Sequence, residues 1–144
     1  MGRLVLNDDA RCCAWLDAQM GIAPSLVKPA FGWEEADELS AVVVFDNLTD
    51  NNVFAHCANA GKDGFPVELL AACYAFVFRQ LGLERVSLLI PAGDPRVLRF
   101  VEKWGAEFEG RIAKATKAGD MLIYVMWRHS EPAAQVFAAQ RSAA

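Results

Sequence analysis

Apolar and polar residues fall along this chain in blocks whose period changes several times, and the changes predict the elements. Leu4 to Leu6 is a short strand-like run. Asn7 or Asp8 follows, and either can cap a helix, because a short side-chain oxygen accepts from the free N–H groups of a first turn. That helix runs through Trp15 and Leu16 and stops near Gly21. Ile22 to Pro29 reads as loop, with Pro24 and Pro29 opposing regular structure. Ala30 to Trp33 is strand-like, and Glu34 to Glu38 is a polar turn. Ala41 to Leu48 (AVVVFDNL) is a β-branched and aromatic strand. Thr49 to Asn52 has the composition of a hairpin turn, so Val53 to Asn59 (VFAHCAN) is the returning strand.

The second half alternates differently. Ala60 to Phe65 (AGKDGF) is a glycine-bearing loop, and Pro66 suits the first position of a helix, where its missing N–H costs nothing. The helix to Leu81 is apolar nearly all round, as expected of one buried on most sides, and Gly82 ends it. Val86 to Ile90 (VSLLI) fits a central strand covered on both faces. Asp94-Pro95 opens a further helix, with Asp as cap; Val97, Leu98, Val101 and Trp104 form its apolar face and Gly105 ends it. Glu107 to Ile112 and Met121 to Trp127 pair as antiparallel strands across Lys117 to Asp120. Helices interleaved with hairpins indicate an α/β protein with a mixed sheet.

Composition narrows the class. The chain has 144 residues, 54 % apolar and 22 % charged, which fits one globular domain. Residues 1–129 are expected to form that domain, with the alanine-rich 130–144 as a tail or short helix. The net charge is −4 and no basic tract stands out, so a nucleic-acid footprint is not indicated. Cys12, Cys13, Cys57 and Cys73 form no C-x-x-C pair and read as free thiols of a reducing cytoplasm. No signal peptide or membrane span is evident, so a soluble cytoplasmic protein is expected. No spacing suggests a metal site, and a P-loop is absent.

One local pattern carries chemistry by itself. A strand, a glycine-bearing loop and a helix N-terminus form a place for phosphate, where free N–H groups and the helix dipole favour negative charge. Its competing reading is a plain strand-to-helix turn.

The element order resembles that of the GNAT (N-acetyltransferase) superfamily over Leu4 to Arg128. The likeness is sharpest in DPRVLRFVEKWGAEFEG, Asp94 to Gly110. It is similar to the family segment in which an Asn opens a helix ending in Tyr-Glu-Lys-x-Gly-Phe, followed by a strand with Phe-x-x-Glu-Gly. Glu102, Lys103 and Gly105 match, and Phe108, Glu109 and Gly110 look like the following strand. The chain looks closest to compact, phage-type members. The resemblance implies a GNAT fold, with a mixed, mostly antiparallel sheet flanked by helices. It also implies acetyl-CoA as co-substrate and a small-molecule or protein amine as acceptor. The residues it places at the cofactor are Cys57, Asn59, Gly61, Lys62, Asp63, Gly64, Phe65, Asp94, Arg96 and Lys103.

Departures from the family pattern bear on activity. Gly64 keeps the loop glycine, but Gly61 replaces a long polar residue and Pro66 removes one backbone donor. Val101 stands where the family often has a Tyr that protonates the leaving thiolate, and Asp94 stands in place of Asn. His56 is the general-base candidate, since imidazole titrates near neutrality. Asp46, on the paired strand, is its orienting partner or binds a cationic amine. The competing readings are a histidine satisfied on a sheet face and a strand-end polar residue. Glu34 and Glu35 line an acceptor pocket or a solvated turn. His56 and Cys57 point to opposite faces of a strand and make a poor pair. Cys73 reads as inert core, and Tyr74 and Tyr124 as packing. The apolar tail is a candidate homodimer contact. Two functions follow: an acetyl-CoA-dependent N-acetyltransferase, or a catalytically degenerate GNAT-fold binding or structural module.

Overall fold

The computed structural model describes residues 2–60 and 65–130. Its chain order is β1 (Gly2–Val5), α1 (Asp9–Met20), β2 (Ala30–Glu35), β3 (Glu38–Asp46), β4 (Asn52–Asn59), α2 (Val67–Tyr74), β5 (Arg85–Pro91), α3 (Pro95–Lys103), β6 (Glu107–Thr116) and β7 (Gly119–Trp127). The seven strands form one sheet in the order β1-β2-β3-β4-β5-β7-β6. Every neighbouring pair is antiparallel except β4 with β5. A parallel pair needs a crossover, and α2 supplies it. This is the mixed, mostly antiparallel α/β architecture expected, and it is the GNAT fold.

Strand alternation distributes the apolar side chains to two cores. On one face Ala41, Val43, Phe45, Val53 and Ala55 meet Leu69, Cys73, Val77 and Phe78 of the α2 region and Val101 of α3. On the other face Val42 and Val44 meet Cys12, Cys13 and Leu16 of α1. β3 is thus buried on both sides, which accounts for its unbroken AVVVF run. α1 lies over β2, β3 and β4.

Several local expectations are revised. Asp8 does occupy the cap of α1, but its side chain makes no capping hydrogen bond; it approaches Arg11 instead, at 3.9 Å. Gly21, at φ 68°, ends that helix in the left-handed conformation. Glu34 is not in a polar turn. It belongs to β2, its side chain is 2 % exposed, and it accepts from Arg3 and Arg11. The turn itself is Ala36-Asp37, both with positive φ. Pro66 sits one position before the first turn of α2. The helix then passes after Tyr74 into a π-helical segment, Ala75–Gln80, where Leu81 N–H reaches the Phe76 carbonyl at 2.8 Å. The wider turn sets Phe76 against Phe31 and Phe45, with ring centroids 5.3 and 5.1 Å apart, while Val77 and Phe78 stay in the core. The expected tail at 130–144 lies outside the described residues apart from Ser130.

Candidate functional site

The parallel pairing of β4 with β5 is short. It begins at Asn52 with Arg85 and ends at Ala55 with Leu88. Beyond that point β4 continues along β3 to Asn59, while β5 continues along β7 to Pro91. The two strands therefore part, and the sheet has a fork between them. Its closed end is pinned by polar bonds. Arg85 donates to Asn52 Oδ1 (3.1 Å), Ser87 Oγ (3.1 Å) and the Glu109 carboxylate, and its guanidinium stacks over Trp127 at 5.3 Å. Ser87 also donates to Asn52 Oδ1, at 2.9 Å.

Main-chain groups are turned into the fork by the β3–β4 register. Ala60 N–H bonds the Ser40 carbonyl, so the even-numbered residues of β4 direct their amides to β3. The odd-numbered residues direct theirs to the other edge. Cys57 and Asn59 lie past the last β5 partner, so their main-chain groups face the opening. Side chains divide in the perpendicular direction. Ala55 and Cys57 project toward α2 and α3, whereas His56 projects to the α1 face.

On the helix side the fork opens on a cavity of about 70 Å³. Ala55 and Cys57 of β4, Val86 and Leu88 of β5, Cys73 and Tyr74 of α2 and Val97 and Val101 of α3 line it. Phe65, Phe100 and Trp104 form its outer wall as a row of rings, 5.6 and 6.2 Å between successive centroids. Its lining is almost wholly apolar. Burial pushes the Cys57 thiol up to about 11, and burial, followed by the neighbouring Cys57, raises Cys73 further. Neither thiol is a nucleophile near neutral pH. Among the described lining residues Tyr74 supplies the one hydroxyl; it donates to Met126 Sδ at 3.3 Å, and burial raises its pKa. Tyr124 lies away from the cavity and donates to Glu102 at 2.9 Å.

On the opposite side His56 and Asp46 meet. His56 Nε2 is 2.8 Å from Asp46 Oδ1, and the two side chains are 21 % and 17 % exposed. Lys28 Nζ donates to the second oxygen, Oδ2, at 3.0 Å. Burial opposes ionisation of Asp46, but the hydrogen bonds from Lys28 and His56 and their charge outweigh it, and the carboxyl is held below its ordinary range. A carboxylate only accepts, so His56 donates through Nε2 and the neutral ring keeps Nδ1 as its acceptor. Lys28 lies in the loop before β2, where no periodicity marks it. Its role became visible only once the fold brought residues 18 apart together.

The remaining sequence candidates are scattered. Gly61, Lys62, Asp63 and Gly64 lie outside the described residues. Phe65 is in the cavity wall. Asp94 caps α3, accepting from Val97 N–H at 3.3 Å, as its place before Pro95 suggests. Arg96 and Lys103 are exposed on α3 and share a flank with Arg99, which the sequence reading did not single out. Arg96 and Lys103 stand four residues before and three after Phe100, which lines the cavity, and so share its side of α3. Glu34 is held by its arginines on the far side of the sheet, and Glu35 accepts from Trp33 Nε1 at 3.3 Å. Among the described residues no group of acidic, His and Cys side chains is arranged to hold a metal ion.

No protein-family model matches the sequence, and no curated protein matches it. Solved structures do resemble the fold. A mutant form of the spermidine/spermine N-acetyltransferase SpeG from Vibrio cholerae superposes with a TM-score of 0.68 at 15 % identity, over 89 % of this chain and 93 % of that one. Ard1 from Thermoplasma volcanium gives 0.68 at 10 % identity, over 90 % and 99 %. A putative acetyltransferase, yncA, from Salmonella typhimurium with its cofactor acetyl-CoA gives 0.66 at 14 % identity, over 91 % and 97 %. At these identities the likeness is one of fold.

Proposed function

We propose that the chain is an acetyl-CoA-dependent N-acetyltransferase of the GNAT superfamily. The observation that carries the reading is the forked sheet, with an apolar slot on one side and a carboxylate-oriented histidine on the other. The slot suits the apolar arm of a coenzyme A thioester. The stripe of Arg96, Arg99 and Lys103 suits its phosphates, and offsets the donor missing at Pro66. The thioester supplies an activated acyl group. Cys57 N–H, turned into the fork, is placed to donate to the carbonyl oxygen as negative charge develops there. An amine arriving from the α1 face attacks the carbonyl carbon. His56 Nδ1 takes the proton that the amine loses, the carbon–sulfur bond breaks, and the thiolate leaves with a proton from solvent. The products are an amide and free coenzyme A thiol.

Spermidine, the substrate named for one fold neighbour, is not carried over to this chain. A polyamine needs carboxylates to receive it, and Asp46 already has one oxygen on His56 and the other on Lys28. The acceptor is therefore proposed as an amine without that polycationic requirement, on a small molecule or a protein.

A second reading, a degenerate binding module, is favoured by Val101, which is buried in the slot where the family often carries a proton-donating Tyr. Calorimetric titration with acetyl-CoA followed by thioester-loss assays over an amine panel separates the two. Binding with turnover that drops about 10²- to 10⁴-fold in His56→Ala supports the enzyme. Binding with no turnover on any amine supports the module, and absence of binding at millimolar acetyl-CoA overturns the enzyme reading.

A further inference from the structure

Five apolar side chains of the sheet belong to neither core. Phe54 of β4, Leu89 of β5, Met121 and Ile123 of β7 and Ile112 of β6 stand outside both the cluster under α2 and α3 and the cluster under α1. The first four are half-buried, and Ile112 is 43 % exposed. Register puts them on one face. Phe54 pairs with Ser87, Leu89 with Ile123 and Met121 with Ile112, and directly paired residues project to the same side. Alternation along each strand makes that side the one that carries His56. α1 packs on β2, β3 and β4, and its cluster reaches no further than Ala58 of β4. The band continues from there across β5, β7 and β6.

Its nearer end lies at the fork. One residue past the last pair, Ala55 with Leu88, Leu89 comes level with His56 across the opening. Ile123 is next in that row, and Gly110 of β6 follows it. Gly110 has no side chain to cover its neighbour; a Cβ there would stand 3.8 Å from Ile123 Cδ1. An amine whose nitrogen meets a carbonyl in the fork beside His56 therefore trails its body over Leu89 and Ile123.

Charge narrows what that body is. The carboxylates that share the face with this row already accept from donors of the chain: Asp46 from His56 and Lys28, Glu107 from Trp127 Nε1, and Glu109 from Arg85. Lys28 and Arg85 are bonded in those same pairs. A charged body would give up water here without a ready partner, whereas a hydrocarbon one gains by covering the band.

We propose that the acceptor is a primary amine on an uncharged hydrocarbon body, held by Leu89, Ile123 and Met121. The inference rests on the acetyltransferase reading. The reaction is unchanged: nitrogen bonds to the carbonyl carbon, the carbon–sulfur bond breaks, His56 holds the amine's proton, and the thiolate takes one from solvent.

The test compares kcat/KM of the whole chain, with saturating acetyl-CoA, for pentylamine, 1,4-diaminobutane and 5-aminopentanoate. These share a four-methylene arm and end in a methyl, an ammonium and a carboxylate. Pentylamine is expected to exceed the other two by at least tenfold, and the series from propylamine to hexylamine to rise roughly fourfold per methylene. Ile123→Ala and Met121→Ala should flatten that rise. Ile123→Asp, which sets a carboxylate in the row, should turn the preference toward 1,4-diaminobutane. Unchanged calorimetric affinity for acetyl-CoA shows that each variant has folded. Turnover with equal kcat/KM for the three amines, or with a charged one preferred, overturns the inference and leaves the acetyltransferase reading in place. A flat series from a chain that elutes as a dimer, and becomes monomeric in Ile123→Arg, assigns the band to a second copy and overturns it too. Binding of acetyl-CoA with turnover of no amine overturns the acetyltransferase reading and this inference with it.

Discussion

Asp46 is held between two donors, the Lys28 amine and the His56 ring. The two hydrogen bonds on separate oxygens hold the carboxylate still and fix which ring nitrogen is left to accept. Removing Lys28 should act through this arrangement. The Asp46 carboxyl is held below its ordinary value, so its contribution to stability is present above about pH 4, the unfolded value, and is lost as pH falls through the lower folded value. In Lys28→Met the folded value rises toward the unfolded one. The acid-unfolding midpoint should therefore move to higher pH, which melting curves between pH 2 and 5 will show; an unchanged midpoint refutes the coupling. Asp46→Asn keeps the shape but not the charge, and should lower kcat/KM by at least tenfold with altered pH dependence.

Cys57 adds a prediction at the same scale. Burial raises its thiol to about 11, so alkylation by iodoacetamide should be slow at pH 8 and accelerate as the pH approaches that value. Coenzyme A at saturating concentration should suppress the reaction further, because Cys57 lines the slot. Rapid labelling of Cys57 at neutral pH, read by mass spectrometry, contradicts the burial that the fork geometry implies.

Between elements, α3 shows how one residue can be assigned by local physics against a family role. Asp94 accepts from Val97 N–H with Pro95 next in the chain, which is a helix start by any account. Asp94→Ala should cost about 1 kcal/mol of stability by loss of the cap. Its coenzyme A affinity should change little, and a loss of tenfold or more would return Asp94 to the cofactor site. The start of α3 was legible because cap and proline are adjacent. The strands were legible for the same local reason: AVVVF and VSLLI carry their burial on their face. Glu34 was not legible, since the arginines that hold it stand 31 and 23 residues away and a pair of glutamates signals a turn. The π-helical segment was hidden too. Its apolar residues suit an α-helix equally well, and only the aromatic contacts with Phe31 and Phe45 distinguish the wider turn. His56 and Asp46 could be named as partners from a hairpin register, whereas Lys28 in an aperiodic loop could not.

For the whole molecule the fork is the decisive feature, and no stretch of sequence encodes it. It follows from where pairing stops, at Ala55 and Leu88, and from the Arg85 network that holds the closed end. β1 to β4 form one side of the opening and β5, β7 and β6 the other, joined at that end and through α2. Under the proposed function a thioester seated between them would contact both halves and add to the stability of the folded state alone. Ligand at a hundredfold its Kd adds about 2.7 kcal/mol, which for a chain of this size raises Tm by roughly 5–10 °C. Pantetheine, which lacks the nucleotide and its phosphates, should raise Tm less at equal concentration, because it leaves Arg96, Arg99 and Lys103 unused. Neutralising two of them in Arg96→Gln/Arg99→Gln should bring the coenzyme A response down toward the pantetheine response and reduce its dependence on salt. Equal shifts for coenzyme A and pantetheine in the unaltered chain would remove the basic stripe from the site and leave the apolar slot as the part of the fork that binds.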